Sequence, residues 1–429
     1  MNNTIKLLLK QGIGGPSEPI VKAGDTVKKG TLLAVPKGLG SNLHSSVYGT
    51  IAEITENCIT IHADDNQPDE FEKISCNGSI ADIVKEAGII GMGGAGFPSN
   101  VKLETDLSGG VIIANGVECE PLLKHNIRQI TENPEVIYRG ILYAMKAANA
   151  KRGILAIKRK NAEAVNSFKA VIKPHDNIEI AELEDLYPMG EERAIVREVL
   201  GELLKTDQLP SAAGAVILNV ETLSRITEAV ELHKPVVSKN ITVVGKLKSG
   251  KDSKTFLDVP IGASVSSLIE MAGGIDGEFG EIIMGGPFTG HSTTLDSPIT
   301  KTSGGIIATM EFLKAKGKLG LLVCACGANE DRLREIAEKM NGDVVAVERC
   351  KQAVESRGAL KCENPGNCPG QAEKIMKLKK AGAESLLISN CSDCTNTVMC
   401  VAPKLKMPVY HCTDHVMRTV GHRLIRRLP

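Results

Sequence analysis

Tryptophan is absent from this 429-residue chain, and aromatic residues make up only 3% of it. Proteins that bind single-stranded nucleic acid stack the bases on aromatic side chains, so this composition argues against such a role. An excess of charge of either sign is also missing, because 51 Lys and Arg residues balance 51 Asp and Glu residues. A neutral chain has no general attraction for nucleic acid or for anionic lipid. We therefore expect no nucleic-acid partner.

Long apolar runs are missing as well. No stretch reaches the roughly 18 apolar residues that a helix needs to span a bilayer. The apolar segment that begins at Ile5 is short and is interrupted by Lys6 and Lys10, which is not typical of a secretion signal. We expect a cytoplasmic protein, either free in solution or peripheral to the membrane, that forms a homo-oligomer or joins a complex.

Cysteine, in contrast, is abundant, with 12 residues in the chain. In a reducing compartment this number indicates metal binding or redox chemistry more than structural disulfides. Cys58, Cys76 and Cys119 are scattered and fit small hydrophobic core positions. The other nine lie between Cys324 and Cys412, and this concentration predicts a chemical role.

The order of β-type runs, helices and turns predicts a multidomain α/β protein of four parts. Residues 1–75 alternate short strands with Gly turns and resemble a barrel-sandwich hybrid of the lipoyl type, although no acceptor Lys occurs in the hairpin candidate. Residues 76–236 alternate buried strands with helices, as in a Rossmann-like domain. Residues 237–312 form a compact α+β unit. Residues 313–429 form a Cys-rich α/β domain with cysteines at the strand ends.

The first chemical motif is a glycine-rich loop, Gly91–Pro98. Its glycines are Gly91, Gly93, Gly94 and Gly96, and Phe97 follows them. Glycines let backbone N–H groups approach an anion closely, as in phosphate-binding loops. The spacing is neither the dinucleotide fingerprint nor a Walker motif. By itself, the loop predicts only a turn that can bind phosphate.

Three further motifs follow the loop in order and carry a family resemblance. They are Asn115–Pro121, Tyr187–Glu192 and Leu218–Leu223. The set resembles the NADH-binding flavoprotein subunit of complex I, and more closely the C subunit of the Rnf complex. This resemblance covers roughly residues 5–310 and implies that residues 237–312 are an SLBB-type domain, a variant of the β-grasp. Met92 and Val117 depart from the complex I pattern, and the apolar Met92 agrees with the Rnf-like branch.

The resemblance implies a site for FMN and NADH, and the side chains suit that role. Asn115 and Asn219 offer neutral amides to flavin or ribityl groups, and Lys102 offers a cation to the phosphate or the ring edge. Glu118 and Glu120 would accept hydrogen bonds from hydroxyl groups. Phe97 would stack on adenine or nicotinamide, and the Glu191–Glu192 pair would lie near the nicotinamide. The complete implied set is Gly91, Gly93, Gly94, Gly96, Phe97, Lys102, Asn115, Glu118, Glu120, Tyr187, Gly190, Glu191, Glu192, Asn219 and Thr222.

The cysteines of the last domain lack the Cys-x2-Cys-x2-Cys run that carries iron–sulfur clusters in these families. Cys324 and Cys326 end a predicted strand and precede a predicted helix, whose N-terminus favours a reactive thiolate. Cys391 and Cys394 follow a later strand with Cys-x2-Cys spacing. We predict that these four cysteines are redox-active. The segment 358–370, rich in Cys, Gly and Pro, is predicted to be a loop.

Two interpretations remain open for the final cysteines. A 4Fe-4S cluster in an unusual arrangement, or a redox dithiol, is the favoured one. A zinc site is the other, with His411 as an alternative ligand to the last cysteine. The candidate ligands are Cys391, Cys394, Cys400 and Cys412.

The segments Val323–Gly327 and Asn390–Cys394 resemble the Rnf-C-like electron-transfer proteins that serve D-proline reductase in amino-acid-fermenting anaerobes. The resemblance implies that NADH reduces FMN and that electrons reach C-terminal thiols or a cluster. D-proline reductase or another reductase would then accept them. One alternative is the C subunit of a membrane-associated ferredoxin:NAD oxidoreductase, against which the missing ferredoxin cysteine runs argue. Another is a non-enzymatic, zinc-bound docking scaffold, against which the intact flavin motifs argue.

Overall fold

The computed structural model describes residues 4–389 and 392–422, without the side chains of residues 392–396. Four units with separate β-sheets follow one another along the chain, which confirms the multidomain α/β class. Their boundaries as domains stay predictions. Within the described ranges, no helix has both the length and the apolar character needed to cross a bilayer.

The first unit is entirely antiparallel and consists of two small sheets, in the strand orders β1-β7-β6-β3 and β2-β4-β5. Its strands are β1 (Thr4–Leu8), β2 (Ser17–Pro19), β3 (Thr26–Val27), β4 (Leu32–Pro36), β5 (Leu43–His44), β6 (Gly49–Ile54) and β7 (Cys58–Ala63). Alternate residues of β1 and β7 are buried, as expected for a sheet with one face on the core.

The second unit is a four-stranded parallel sheet in the order β10-β9-β8-β11 with helices on both faces. Its elements are α1 (Ile80–Glu86), α2 (Ser99–Leu103), β8 (Val111–Asn115), α3 (His125–Glu132), α4 (Pro134–Ala147), β9 (Arg152–Lys158), α5 (Ala162–Val171), β10 (Ile178–Leu183), α6 (Glu192–Leu200), β11 (Ala215–Asn219) and α7 (Val220–Leu232). The apolar runs of β8 and β11 are buried, because helices cover both faces of a parallel sheet.

The third unit is a mixed sheet in the order β13-β12-β16-β14-β15, packed with one helix. Its elements are β12 (Ser238–Gly245), β13 (Lys254–Pro260), α8 (Val265–Met271), β14 (Ile282–Met284), β15 (His291–Thr293) and β16 (Gly305–Ala308). One continuous apolar core joins the first three units, with Leu7, Ile112 and Val243 among its members. The SLBB assignment of this unit stays a prediction.

The fourth unit is a parallel sheet in the order β18-β17-β21-β22 with a two-stranded hairpin beside it. Its elements are β17 (Leu319–Val323), α9 (Glu330–Lys339), β18 (Val344–Arg349), β19 (Ala353–Ser356), β20 (Ala359–Cys362), α10 (Ala372–Lys380), β21 (Ser385–Ile388), α11 (Ser392–Val401), β22 (Val409–His411) and α12 (Asp414–Thr419). Separate apolar clusters cover its two faces.

The hairpin β19–β20 corrects the prediction that 358–370 is entirely loop. The pairing of Ser356 with Ala359 leaves a two-residue turn, in which Arg357 has φ 53° and Gly358 has φ 74°. Two positive φ angles are the geometry of a type I′ hairpin turn. The sequence signal was weak because each strand has only four residues and the first position of the turn is an Arg.

Candidate functional site

The site begins with the topology of the second unit. From β8 the chain moves to β9 and β10 on one side, and it returns to the other side of β8 in β11. Asn115 and Asn219 are register partners at the ends of these adjacent parallel strands. The crevice outside the carboxyl ends of two such strands is where open α/β sheets bind ligands. The topology therefore places two amide side chains at this crevice.

A cavity of about 900 Å³ lies at the crevice. The second unit contributes Met92, Gly93, Gly94, Ala95, Asn115, Glu118, Cys119, Glu120, Gly190 and Asn219 to its wall, among others. The first unit adds Gln11, Gly12 and Ile13, and the third adds Gly285, Gly286 and Thr289. A volume of this size is typical of a site for a cofactor or substrate.

The glycine-rich loop is closed by a hydrogen bond from the Gly91 amide to the Phe97 carbonyl, 2.8 Å long. Thr222, in the first turn of α7, accepts a hydrogen bond from the Met92 amide at 3.0 Å and donates one to the Ile90 carbonyl at 3.3 Å. These bonds tie the loop to the helix that follows β11. Thr222 thus positions the loop and is not part of the cavity wall.

Two glycines of the loop are required by close approaches. A Cβ atom at Gly93 would lie 2.3 Å from Asn219 Nδ2. Gly96 has φ +73°, and a Cβ atom there would lie 2.7 Å from the Gly12 Cα atom of the first unit. Gly94 differs, because a Cβ atom at this position would meet no heavy atom within 4 Å. The loop is therefore packed at two positions and open toward the cavity at a third.

The two asparagines have different bonding partners. Asn115 donates from Nδ2 to the Gly190 carbonyl at 3.0 Å, and its Oδ1 accepts from the Val117 amide at 3.2 Å. Asn219 is the N-cap of α7, where its Oδ1 accepts from the Glu221 amide at 2.8 Å. Asn115 thus connects two of the sequence motifs, and Asn219 caps the N-terminus of α7 at the cavity wall.

Glu118 is a buried acid of the cavity wall whose pKa is raised. Its Oε2 is buried, has no hydrogen-bond partner among the described residues and lies 3.9 Å from His125 Nε2. Burial raises the pKa of Glu118 to about 7, and hydrogen bonds from Asn126 oppose that shift. Burial lowers the pKa of His125 well below its ordinary value, so its imidazole is neutral. Glu118 therefore lines the cavity with a buried oxygen that can still accept a hydrogen bond.

Glu120 connects the second unit to the third. Its carboxylate accepts from the Phe288 amide at 2.8 Å, from the Thr289 amide at 2.9 Å and from the Thr289 hydroxyl at 2.6 Å. A Cβ atom at Gly286 would lie 2.4 Å from the carboxyl carbon, so this turn has to carry glycine. Burial raises the pKa of Glu120, while the hydrogen bonds lower it. Glu120 lines the cavity, but it is bound first of all to the protein.

Several predicted site residues lie behind the cavity wall rather than on it. Lys102 donates from Nζ to Glu192 at 2.7 Å and to the Ile217 carbonyl at 3.0 Å. Glu191 is the N-cap of α6 and accepts from two amides of its first turn. The described residues that line the cavity do not include Lys102, Glu191, Glu192 or Phe97. Their predicted contacts with the cofactor stay predictions.

Tyr187 also lies away from this cavity, in an apolar cluster with four cysteines. Its ring stacks on Phe288 with 3.8 Å between the centroids and 16° between the planes. The cluster also contains Cys324, Cys326, Cys350 and Cys362. Burial, together with nearby Glu120 and cysteines, raises the pKa of Tyr187 well above its ordinary value. The aromatic pair therefore lies between the carboxylates of the site and the cysteines of the fourth unit.

The predicted cysteines divide into two groups. Cys324 and Cys326 join the apolar cluster, whereas Cys412 packs in the core on one face of the fourth sheet. Cys391 lies outside the described residues, and so does the side chain of Cys394. No three His, Cys, Asp or Glu side chains converge on one metal-ion position within the described ranges. The cluster and zinc interpretations of the tail stay predictions.

Two contributions to these sites were not predicted from the sequence. One is the turn Gly285–Thr289, whose paired glycines signalled a close approach without indicating a partner. The other is the set of Cys350, Cys362 and Cys368, which line a small cavity together with Cys324 and Cys326. The position of Cys350 directly after the strand Val344–Arg349 was the available signal.

Two family models match the chain. Residues 84–228 match the Nuo51 FMN-binding domain, and residues 1–67 match the RnfC barrel sandwich hybrid domain. These matches confirm the predicted kinds of the first two domains.

The chain is also similar to curated proteins. The C subunit of the proton-translocating ferredoxin:NAD(+) oxidoreductase complex of Clostridium ljungdahlii is 32% identical over 320 residues, which cover 70% of this chain and 69% of that protein. The C subunit of the Na(+)-translocating ferredoxin:NAD(+) oxidoreductase complex of Acetobacterium woodii is 30% identical over 315 residues, which cover 69% of this chain and 70% of that protein. A cobalamin reductase of Citrobacter freundii is 36% identical over 230 residues, which cover 53% of this chain and 49% of that protein.

Proposed function

Because the chain belongs to the family formed by the C subunits of ferredoxin:NAD(+) oxidoreductase complexes, we propose that it is an oxidoreductase that takes electrons from NADH at a bound FMN. From the FMN the electrons pass to cysteines of the fourth unit and then to a partner reductase. The observation that carries this proposal is the convergence of the glycine-rich loop, Asn115 and Asn219 on one cavity at the switch point of the parallel sheet.

The residues around the cavity fit FMN. Gly93, Gly94 and Ala95 of the loop line the cavity, and the backbone amides of such a glycine-rich loop can bind phosphate. A Cβ atom at Gly93 would displace Asn219, so the loop and the amide form one preorganised surface. The buried, unsatisfied Oε2 of Glu118 can accept a hydrogen bond from a ribityl or ribose hydroxyl. A flavin nucleotide requires a phosphate-binding loop, polar amides and a hydrogen-bond acceptor for its hydroxyl groups. The glycine-rich loop, Asn219 and Glu118 can supply these three groups.

FMN supplies hydride acceptance and can release electrons singly or in pairs. The protein residues bind and orient. Asn115 and Asn219 line the cavity with polar amides that add no charge to it. Burial raises the pKa of Glu118 to about 7, so whether this side chain carries a proton at neutral pH depends on the ligand beside it.

The acceptor is the more specific part of the proposal. We infer that D-proline reductase accepts the electrons, on the basis of the tail segments Val323–Gly327 and Asn390–Cys394. Any other acceptor reductase would also have to take its electrons from the cysteines of the fourth unit. Membership of a larger assembly is the second candidate, and it is favoured by the relatives that are named as subunits of ion-translocating complexes.

The test is anaerobic reconstitution of the full chain with FMN, followed by addition of NADH. We expect retention of about one FMN per chain and bleaching of the flavin absorbance by NADH, with reduction of an artificial dye. A folded protein that retains no FMN, or whose FMN does not respond to NADH, would contradict the proposal. Pull-down with purified D-proline reductase, compared with an unrelated reductase, tests the acceptor separately.

A further inference from the structure

Five cysteines of the fourth unit line a small cavity: Cys324, Cys326, Cys350, Cys362 and Cys368. Four of them are buried in the same apolar cluster as Tyr187 and Phe288. Of these five cysteines, the sequence predicts redox activity only for Cys324 and Cys326. The structure shows which thiols of the five face each other.

The register of the sheet answers this for the first pair. Val323 and Arg349 are partners at the ends of the parallel strands β17 and β18, and the next residues are Cys324 and Cys350. The Cys350 amide donates to the Val323 carbonyl at 2.9 Å, so the ladder continues up to the cysteine. Neighbouring strands lie about 4.8 Å apart, which falls within the Cα separations of about 4.4–6.8 Å that a disulfide allows.

The side chains of this pair are already in contact. A hydrogen bond between the two thiols, together with burial, raises the pKa of Cys350. Gln371, fully buried, donates from Nε2 to the Cys350 sulfur at 3.0 Å. The Cys350 sulfur is thus held in a fixed position next to its neighbour.

The second pair spans from the sheet to the hairpin. The thiol of Cys326 donates to Cys362, and this bond and the nearby Arg193 guanidinium lower the pKa of Cys362. Arg193, on α6, also donates to the Cys362 carbonyl at 2.6 Å. Arg197, one turn further, donates to Asn364 Oδ1 at 2.6 Å and to the Pro365 carbonyl at 2.7 Å. The second unit therefore holds the hairpin, and with it one thiol of the pair.

Pairwise contact differs from metal coordination. A metal ion needs three or four ligands around one point, and the described residues contain no such group. Two thiols in contact are the arrangement of a dithiol that can close to a disulfide, and in the second pair the lowered pKa of Cys362 favours the reactive thiolate.

The thiol cavity is also next to the proposed flavin site. Cys119, which belongs to the wall of the larger cavity, packs against the cluster that contains the thiols. Tyr187 is part of that cluster, and its ring stacks on Phe288, whose amide binds Glu120. Side chains of one apolar cluster therefore extend from the wall of the larger cavity to the thiols.

We propose that Cys324–Cys350 and Cys326–Cys362 are two redox-active pairs that store the electrons arriving from NADH, each alternating between a dithiol and a disulfide. This inference rests on the proposed function, which supplies the reductant. In each reduction the S–S bond breaks, and both sulfurs become thiols. NADH provides two electrons and one proton as a hydride equivalent, the solvent provides the second proton, and NAD+ is released.

The test is a thiol map of the full chain with FMN bound. The protein is oxidised with one diamide equivalent per pair, and half of it is then treated anaerobically with NADH. Both halves are denatured in iodoacetamide and digested for mass spectrometry. We expect Cys324 linked to Cys350 and Cys326 linked to Cys362 before NADH, and all four cysteines alkylated after it.

Cys350→Ser should lower the number of NADH-dependent thiols in this set from four to two, and Cys58→Ser, a cysteine outside the cluster, should leave it at four. If Cys350→Ser does not fold, Cys362→Ser makes the same comparison through the other pair. Other linkages, or iron and acid-labile sulfide bound by these cysteines, would overturn the inference.

The dye assay separates the two proposals. Dye reduction by wild-type protein without any change in the disulfide linkages would overturn the proposal of two redox-active pairs. The proposed function would still stand. Failure of NADH to bleach FMN or to reduce the dye would refute the proposed function. It would also refute the proposal of redox-active pairs, which depends on that function.

Discussion

Gly94 offers the sharpest test of the phosphate loop, because a side chain fits there without disturbing the fold. A Cβ atom at Gly94 meets no heavy atom within 4 Å, and its backbone lies outside the left-handed region. We therefore expect Gly94→Glu to fold normally and to direct a carboxylate into the cavity. The matched control is Gly94→Gln, which has the same size and no charge.

The magnitude follows from the electrostatics of two like charges. At about 5 Å and an effective dielectric constant of about 20, one pair of unit charges repels by about 3 kcal/mol. A factor of ten in affinity corresponds to about 1.4 kcal/mol. The Glu variant should therefore bind FMN at least about 100-fold more weakly than the Gln variant. Because the loop is exposed, high salt should restore part of the loss.

The assay is titration of the apo-protein with FMN, followed by flavin fluorescence at low and at high salt. Circular dichroism of both variants controls for folding. Equal FMN affinity for the folded Glu and Gln variants would refute the idea that this loop binds the phosphate.

Three further predictions concern neighbouring features. Gly93→Ala should weaken FMN binding by about tenfold or more, because its Cβ would displace the Asn219 amide; Gly94→Ala is the control, and equal affinities would contradict this reasoning. Since burial raises the pKa of Glu118 from 4.5 to about 7, the folded protein keeps a proton that the unfolded chain loses, and stability falls as pH rises through that window. Glu118→Gln should remove at most about 3 kcal/mol of that fall, as measured by urea denaturation of apo-protein at pH 5 and pH 8, and parallel losses in both proteins would contradict it. Arg197→Met should speed hydrogen exchange near Asn364 by about tenfold or more, because two hydrogen bonds of about 1.5 kcal/mol or more each are lost; unchanged exchange would show that the hairpin is held elsewhere.

The fold was largely predictable because its signals are local. Buried runs such as Val111–Asn115 and Leu319–Val323 alternate with amphipathic helices, and this rhythm predicts parallel sheets. The hairpin β19–β20 escaped because four-residue strands carry too little pattern. Arg193 and Arg197, which bind Cys362 and the residues after it, are more than 150 residues earlier in the chain.

The candidate site was predictable in its motifs but not in its geometry. The order of the motifs indicated that Asn115, Glu118 and Asn219 belong together, and the structure brings them to one cavity. The sequence could not indicate that Lys102 is bonded to Glu192, because that pair joins two helices across the sheet. The partner of Cys324 was equally hidden, since it depends on the order and register of strands β17 and β18.

The docked hairpin has a kinetic consequence. Because Arg193 and Arg197 hold Cys362 against the unit that carries the proposed flavin site, donor and acceptor share one molecule at a fixed separation. A tethered partner has an effective concentration in the millimolar range or above, whatever the concentration of the protein. Transfer between the two sites is then a first-order process that dilution does not slow, and only the step to the external acceptor depends on how often two proteins meet.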